Sequence, residues 1–187
     1  MCFELLEKFE NSLCLYKNEE EKVTFKELAI KSDQIVSKLP ARTIFGLYFH
    51  PSINCIATYL GALRNNHVPL LIDPFLDQNL KNKILDQFKV RYIYDGSSWK
   101  IKKHFSKENF KINKELALLL STSGSTGSPK LIKISLNNLH NNAINIVKYM
   151  GLNSNDRAIS SLPLHYSYGL SILNTHLLVG AKFFLSE

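Results

Sequence analysis

The stretch LLLSTSGSTGSPK (residues 118–130) joins an apolar segment to a run of hydroxyl-bearing residues and glycines, which ends on Pro129 and Lys130. Glycine allows positive φ angles and close approach of the backbone, and exposed N–H groups in such a loop can form a nest for an anion. Serine and threonine add hydroxyl donors, and Lys130 adds a point charge. The stretch therefore predicts a loop that binds polyphosphate.

A flexible linker is the alternative, because stretches rich in serine and glycine often connect domains. This loop is short, however, and strand-like segments flank it at residues 115–120 and 131–135, so we favour the phosphate loop. It is not a Walker A loop, which needs G-x-x-x-x-G-K-[ST] followed by a helix. Here Lys130 does not directly follow Gly127, and a strand-like segment comes next.

The chain has 187 residues and a net charge of +7, which is enough length for one domain with a sizeable core. The positive charge raises the hypothesis of nucleic-acid binding. The lysines are nevertheless spread along the chain, and the densest basic patch is residues 100–104. We therefore favour a solvated, lysine-rich surface that attracts anionic ligands, and we expect no nucleic-acid partner.

The three cysteines, Cys2, Cys14 and Cys55, are odd in number and widely spaced. They match neither a metal-binding pattern nor a disulfide framework, which predicts reduced thiols, no bound metal and a cytoplasmic location. The first residues lack a basic secretory signal, and no apolar stretch approaches the roughly 18 residues that a membrane span needs. We accordingly expect no membrane partner.

Helical and strand-like segments alternate along the chain, which predicts an α/β fold: a layered, largely parallel sheet flanked by helices. Helices are predicted after the capping residues Thr24, Ser52 and Asp77, and over residues 136–150 and 168–178. Strands are predicted at residues 44–49, 68–72, 90–94, 157–162 and 181–185, and a loop at residues 97–114. The inward face of the helix 136–150 is predicted to consist of Leu139, Ala143, Ile146, Val147 and Met150, before a stop at Gly151.

Residues 122–130 resemble the signature loop of the adenylate-forming enzymes, the AMP-dependent synthetase/ligase family of acyl-CoA synthetases, luciferases and nonribosomal peptide synthetase adenylation domains. That loop reads roughly [ST]-S-G-[ST]-T-G-x-P-K-G, and Leu131 replaces the last glycine. Three further segments resemble the family in the same order: VTFKEL (23–28), VPLLIDP (68–74) and LPLHYSYG (162–169). In the last segment the usual histidine position falls on Tyr166, and His165 precedes it.

The resemblance implies the N-terminal subdomain of such an enzyme, with residues 1–187 as a partial N-terminal domain. The reaction would join a carboxylic or amino acid to ATP, with Mg²⁺, to give an acyl-adenylate and pyrophosphate. A thiol of CoA or of a carrier protein would then take the acyl group. The family's catalytic lysine lies beyond this chain, so we assign no catalytic residue and expect the fragment alone to be inactive.

The resemblance also implies roles for individual residues. The phosphates of ATP would be bound by Thr122, Ser123, Gly124, Ser125, Thr126, Gly127 and Lys130. The candidates for the acyl pocket are His165, Tyr166 and Gly169, although His165 and Tyr166 could equally be aromatic residues that pack beneath a helix. Asp73 is expected to cap a turn before Pro74 rather than to bind a metal.

A stand-alone, non-catalytic binding or assembly module derived from such an enzyme is the alternative function. Self-association through apolar surface that truncation exposes is a further expectation, since such patches tend to pair.

Overall fold

Two β-sheets with helices packed on them form the framework of the computed structural model, which describes residues 6–101, 111–122 and 130–186. A short 3₁₀ helix at Leu6–Phe9 comes first. The strands are β1 Leu13–Tyr16, β2 Lys22–Thr24, β3 Ile44–Tyr48, β4 Val68–Ile72, β5 Tyr92–Tyr94, β6 Trp99–Ile101, β7 Leu116–Thr122, β8 Lys130–Ser135, β9 Arg157–Ile159 and β10 Lys182–Phe184. The α-helices are α1 Phe25–Val36, α2 Ile53–Arg64, α3 Gln78–Gln87, α4 Leu136–Met150 and α5 Ser167–Val179.

The larger sheet has the strand order β6-β5-β3-β4-β7-β8 among the described residues. Strands β5, β3, β4 and β7 are parallel, with Leu47 opposite Leu71 and Leu71 opposite Leu120, whereas β6 and β8 pair antiparallel at the two edges. All residues of β4 are buried, as expected for a parallel strand that is covered on both faces. The largely parallel α/β arrangement is thus confirmed.

The smaller sheet has the order β2-β1-β10-β9 and joins the two ends of the described chain. Strand β10 runs parallel to both β1 and β9, with Leu15 opposite Phe183 and Phe183 opposite Ala158. One apolar cluster contains Leu15 and Phe183 together with Leu47 and Leu71 of the larger sheet. The two sheets therefore share a core.

A second, smaller apolar cluster covers the opposite face of the larger sheet, where Ile84 and Leu85 of α3 pack. Neighbouring residues along one strand divide between the two clusters: Leu71 belongs to the first, and Leu70 and Ile72 belong to the second. This division follows from the two-residue period of a strand.

The helix starts follow from local capping. At α1, Thr24 Oγ1 accepts from the Glu27 N–H at 3.2 Å and the Glu27 carboxylate accepts from the Thr24 N–H at 2.8 Å, which is a complete capping box. Ser52 and Asp77 cap α2 and α3 as predicted. Gly151, with φ of 67°, ends α4 in the left-handed conformation that glycine favours.

Several details of the predicted elements are corrected by the structure. The loop expected at residues 97–114 contains β6, where Trp99 packs on Phe45 and Tyr94, while residues 102–110 lie outside the described part. The strands expected at 90–94 and 157–162 are shorter. Strands β1 and β2 were not predicted, because they are too short to show a period. Met150 is 62% exposed, since α4 buries only Leu139 and Ala143 against its neighbours and its last turn extends past them.

Candidate functional site

A pocket of about 260 Å³ lies where the two sheets meet. Four strands end at its wall: Phe49 follows β3, Asp73 follows β4, Ser160 follows β9 and Ser186 follows β10. In α/β proteins, ligands bind in the crevice outside the carboxyl ends of parallel strands. The remaining lining residues are Pro51, Pro74, Phe75, Ser161, Leu162, Pro163, Leu164, His165 and Tyr166.

Asp73 forms the turn that follows β4. Its Oδ1 accepts from the Phe75 N–H at 2.8 Å, which confirms the expected turn. The Lys81 ammonium donates to the Pro74 carbonyl at 2.6 Å and lies 5.0 Å from the centre of the Tyr48 ring. These contacts hold this wall of the pocket in place.

The side chains of His165 and Asp73 approach each other in the lining of the pocket. His165 Nε2 lies 3.7 Å from Asp73 Oδ2, which is beyond hydrogen-bond distance. Among the residues that the structure describes, this buried nitrogen has no hydrogen-bond partner. Burial lowers the pKa of His165 below its ordinary value of 6.5, although the nearby Asp73 carboxylate acts in the opposite direction. The imidazole is therefore neutral at physiological pH, so the two residues do not form an ion pair.

Tyr166 lies at the start of α5, with its ring centre 4.5 Å from that of His165. Its backbone N–H donates to the Pro163 carbonyl at 3.2 Å, and its side chain is half-exposed at the pocket. Two further lining residues, Ser160 and Ser186, are hydrogen-bonded to each other, because Ser160 Oγ accepts from the Ser186 N–H at 2.8 Å. Their polar groups are thus engaged within the protein.

Gly169 lies within α5 and is buried, but it is not among the pocket residues described above. A Cβ at this position would lie 2.4 Å from the Pro163 carbonyl oxygen. The glycine thus permits the close approach of α5 to the segment that carries Leu162 and Pro163. Of the expected acyl-pocket residues, the structure brings His165 and Tyr166 to the pocket, and it gives Gly169 a packing position.

The strands on both sides of the glycine-rich loop are hydrogen-bonded to each other at its base. Thr122 is opposite Lys130 in the antiparallel pair β7–β8, so a strand follows the loop where a Walker A loop would have a helix. Ser121 Oγ donates to the Leu71 carbonyl at 3.1 Å, which ties the end of β7 to β4. Because β4 and β7 are parallel, the loop begins at the same edge of the sheet as Asp73.

Of the expected phosphate-binding residues, the structure describes Lys130 and the backbone of Thr122. Ser123, Gly124, Ser125, Thr126 and Gly127 lie outside the described residues. Within residues 6–101, 111–122 and 130–186, no group of three His, Cys, Asp or Glu side chains could hold a metal ion. No helix in the same ranges is long and apolar enough to cross a membrane.

Sequence reasoning missed Phe49, Phe75, Ser160 and Ser186 as pocket residues. Phe49, Ser160 and Ser186 lie just beyond strand ends, and Phe75 lies in the turn at Asp73. A search of the residues that follow each predicted strand could have found Ser186. Phe49 and Ser160 were instead assigned to strands that in fact end at Tyr48 and Ile159.

Comparisons with known proteins agree with this architecture. The chain is 26% identical over 175 residues to bacitracin synthase 3 of Bacillus licheniformis, covering 79% of this chain and 3% of that protein. The O-succinylbenzoate coenzyme A synthetase MenE of Bacillus subtilis, in complex with AMP, superposes with a TM-score of 0.81 at 18% identity, over 98% of this chain and 55% of that one.

MenE in complex with ATP and magnesium ion gives a TM-score of 0.79 at 18% identity, over 100% of this chain and 57% of that one. The N-terminal subdomain of NpsA from Klebsiella oxytoca, in complex with 3-hydroxybenzoyl-AMSN, also gives 0.79 at 18% identity, over 99% and 52%. The chain thus spans about half of these structures and a few per cent of the synthase. The family described as AMP-binding enzyme matches residues 3–187, and the chain belongs to that family.

Proposed function

We propose that this chain is the N-terminal portion of an ATP-dependent ligase that activates a carboxylic or amino acid as its adenylate. The observation that carries the proposal is the base of the glycine-rich loop, where Thr122 pairs with Lys130 at the carboxyl end of β7. A pocket with a largely apolar wall lies at the same edge of the sheet. A phosphate loop next to an apolar pocket suits a reaction between ATP and an organic acid.

The proposed phosphate-binding residues are the hydroxyl and glycine residues Thr122, Ser123, Gly124, Ser125, Thr126 and Gly127, together with Lys130. Hydroxyl donors and an ammonium group fit a polyphosphate chemically. A carboxylic acid with a pKa of roughly 4 needs no base at pH 7. The work of these residues is therefore to orient ATP against a second anion and to stabilise the negative charge of the departing pyrophosphate.

Magnesium ion would neutralise charge on the ATP phosphates when bound. Mg²⁺ keeps several waters and is usually held by one or two carboxylates together with substrate phosphates. The described residues offer no dedicated cluster of acidic ligands, which is compatible with an ion carried mainly by ATP. The MenE complex with ATP and magnesium supports this pairing by analogy of fold.

His165 and Tyr166 are proposed to form part of the acyl pocket. Their positions on the wall of the cavity favour that role over simple packing beneath α5. A thiol of CoA or of a carrier protein is the proposed acceptor, and it would need parts of the enzyme beyond these residues. Self-association, a cytoplasmic location and the absence of nucleic-acid and membrane partners stay predictions.

The test of the phosphate loop is ATP binding by calorimetry to the unaltered chain and to Lys130→Ala. Loss of a charged donor is expected to weaken binding about tenfold, which corresponds to about 1.4 kcal/mol. The matched control is Lys133→Ala, because Lys133 is exposed on the same strand. It lies three residues after Lys130, so its side chain is on the opposite face of the strand. Equal losses in the two variants would overturn the assignment of Lys130.

A second measurement separates the ligase from a non-catalytic binding module. ATP–pyrophosphate exchange should be negligible for this chain alone across a panel of acids, and ATP should still bind. Robust exchange by residues 1–187 alone would contradict the fragment proposal. A chain that binds acids but no ATP would favour the binding module.

A further inference from the structure

The pocket offers one charged group and a largely apolar surface to an occupant. Among its lining residues Phe75 is largely exposed, and Leu162 and Tyr166 are partly exposed. Among the described lining residues Asp73 is the one carboxylate, and no lysine or arginine lines the pocket. A ligand that fits this lining has an apolar body and no negative charge at the Asp73 end.

The two oxygens of Asp73 differ in what they contact. Oδ1 accepts from the Phe75 N–H, whereas Oδ2 points toward His165 Nε2 at 3.7 Å. The Asp73 side chain is 33% exposed, so a ligand in the pocket can approach the carboxylate. Oδ2 therefore retains acceptor capacity on the pocket side.

His165 Nε2 is a buried polar atom without a hydrogen-bond partner among the described residues. More than nine-tenths of the His165 side chain is buried, and an unsatisfied buried polar group is costly. Two atoms 3.7 Å apart can both lie within about 3 Å of a single third atom. One polar atom of a ligand could thus contact Oδ2 and Nε2 together after a small side-chain adjustment.

Hydroxyl and ammonium groups satisfy both atoms. In the neutral ring a hydroxyl donates to Oδ2 and accepts from Nε2 when Nε2 carries the hydrogen. An ammonium has three donors and can donate to Oδ2 and to Nε2 when the hydrogen is on Nδ1. A carboxylate ligand would bring two negative groups together. An alkyl group would leave Nε2 without a partner.

We propose that this pocket takes an acid whose apolar body carries a hydrogen-bond donor, a hydroxyl or an ammonium, and that Asp73 Oδ2 and His165 Nε2 bind that donor. The inference rests on the proposed function, in which this pocket holds the acid to be activated. It narrows the substrate class from any carboxylic or amino acid to acids with such a donor.

The experiment measures binding of three acid series to the chain by calorimetry without ATP. Butanoate, hexanoate and octanoate are compared with their ω-hydroxy and ω-amino derivatives. At the best chain length, the donor-bearing acid is expected to bind about tenfold more tightly than the plain acid. An advantage confined to the ω-amino series, and weakened by salt, identifies an ammonium, whereas an equal advantage for ω-hydroxy acids identifies a neutral donor.

The variants are Asp73→Asn, which keeps an Oδ1 acceptor for the Phe75 N–H, and His165→Phe. Asp73→Asn should remove most of the ω-amino advantage while hexanoate binding stays within about twofold. His165→Phe should reduce the donor advantage at every length. The control is Asp77→Asn, because Asp77 is exposed and caps α3 and asparagine caps equally well.

Absence of any donor-dependent binding at the three lengths overturns the proposal, as does an equal effect of Asp73→Asn and Asp77→Asn. Thermal unfolding of each variant establishes that it is folded. Because ATP is left out, failure here leaves the Lys130 test of the phosphate loop unaffected. Conversely, if the chain shows donor-dependent acid binding but binds no ATP, the result would support the subsite and contradict the proposal that the chain belongs to an ATP-dependent ligase.

Discussion

Arg64, at the end of α2, joins three segments of the chain. Its guanidinium lies 2.6 Å from Glu7 Oε1 and 3.0 Å from Asp33 Oδ2. Only 13% of the Arg64 side chain is exposed, whereas both carboxylates are about half exposed. The hydrogen bonds that Arg64 donates to Asp33, and then those that it donates to Glu7, raise the pKa of Arg64.

Replacing Arg64 with alanine should destabilise the fold by about 1–2 kcal/mol, a value reduced from that of a fully buried pair because water screens the carboxylates. Urea denaturation measures the free energy of unfolding. The control is Lys22→Ala, because Lys22 pairs with Glu19 at the surface and its loss should be undetectable. Equal unfolding free energies for the two variants would contradict the role of Arg64.

At the same scale, the sequence identified some site residues and not others. His165 and Tyr166 were found because their segment resembles the family, and Asp73 because Asp-Pro favours a turn. The approach of His165 Nε2 to Asp73 Oδ2 could not be predicted, since these residues are far apart in sequence. Only the pairing of their strands and helices sets that distance.

At the scale of elements, α1 and α2 pack unusually closely at Gly61. A Cβ at this position would lie 2.1 Å from the Ser32 carbonyl oxygen. Ser32 is itself fully buried, and its Oγ donates to the Leu28 carbonyl at 2.6 Å. The backbone of α1 therefore has little room to move away from a larger residue.

Gly61→Ala is expected to lower the free energy of unfolding by about 2–3 kcal/mol, because the added methyl group overlaps backbone atoms rather than a flexible side chain. Denaturant unfolding is again the measurement. Gly151→Ala serves as the comparison. In the described part of the chain no atom lies within 4 Å of a Cβ at this site, but its φ is +67°, so a loss of about 1 kcal/mol is expected. A Gly61 variant no less stable than the Gly151 variant would refute the close packing.

Elements with local signals were predicted well, and those without them were not. The capping residues Thr24, Ser52 and Asp77 mark helix starts because their side chains bond to N–H groups a few residues away. Strand β4 was predicted with its observed ends, since its apolar run stops at Asp73. Strand β1 has four residues and is stabilised by pairing with β10 at the other end of the chain, which leaves no local signal.

At the scale of the whole molecule, three histidines should make the fold sensitive to acid. Burial lowers the pKa of His50, His67 and His165 below the ordinary value of 6.5, assisted by Lys81 at His50 and by Arg42 at His67. The unfolded chain consequently binds more protons than the folded chain as the pH falls. The resulting stability is complete above pH 6.5 and is lost progressively below it.

The free energy of unfolding should therefore fall as the pH is lowered from about 6.5 to about 5. Urea denaturation at a series of pH values checks this. His67→Gln should flatten the dependence, because glutamine can accept the Thr43 N–H that His67 Nδ1 accepts at 3.3 Å without taking up a proton. Stability that is constant or rises over this range would contradict the prediction.

A separate loss is expected at lower pH from the acidic groups. The pKa of Glu7 is lowered by its hydrogen bond to Arg64. Partial burial tends to raise the pKa values of Asp33 and Asp95. The hydrogen bond from Arg64 nevertheless lowers the pKa of Asp33, and the hydrogen bond from Lys100 lowers that of Asp95. These carboxylates contribute to the free energy of unfolding above their ordinary pKa values, 4.5 for Glu7 and 3.8 for the aspartates. The contribution disappears as the pH falls through their lowered pKa values.

The sequence by itself determined the α/β class, the helix starts, the central strands and the presence of a glycine-rich loop, because each depends on residues a few positions apart. Only the tertiary structure decided that there are two sheets and that a pocket lies between their strand ends. The pocket brings Phe49 and Asp73 together with Ser160 and Ser186. Their meeting depends on β10 pairing in parallel with both β1 and β9. Such pairing brings together strands from opposite ends of the chain, and no local pattern of residues encodes it.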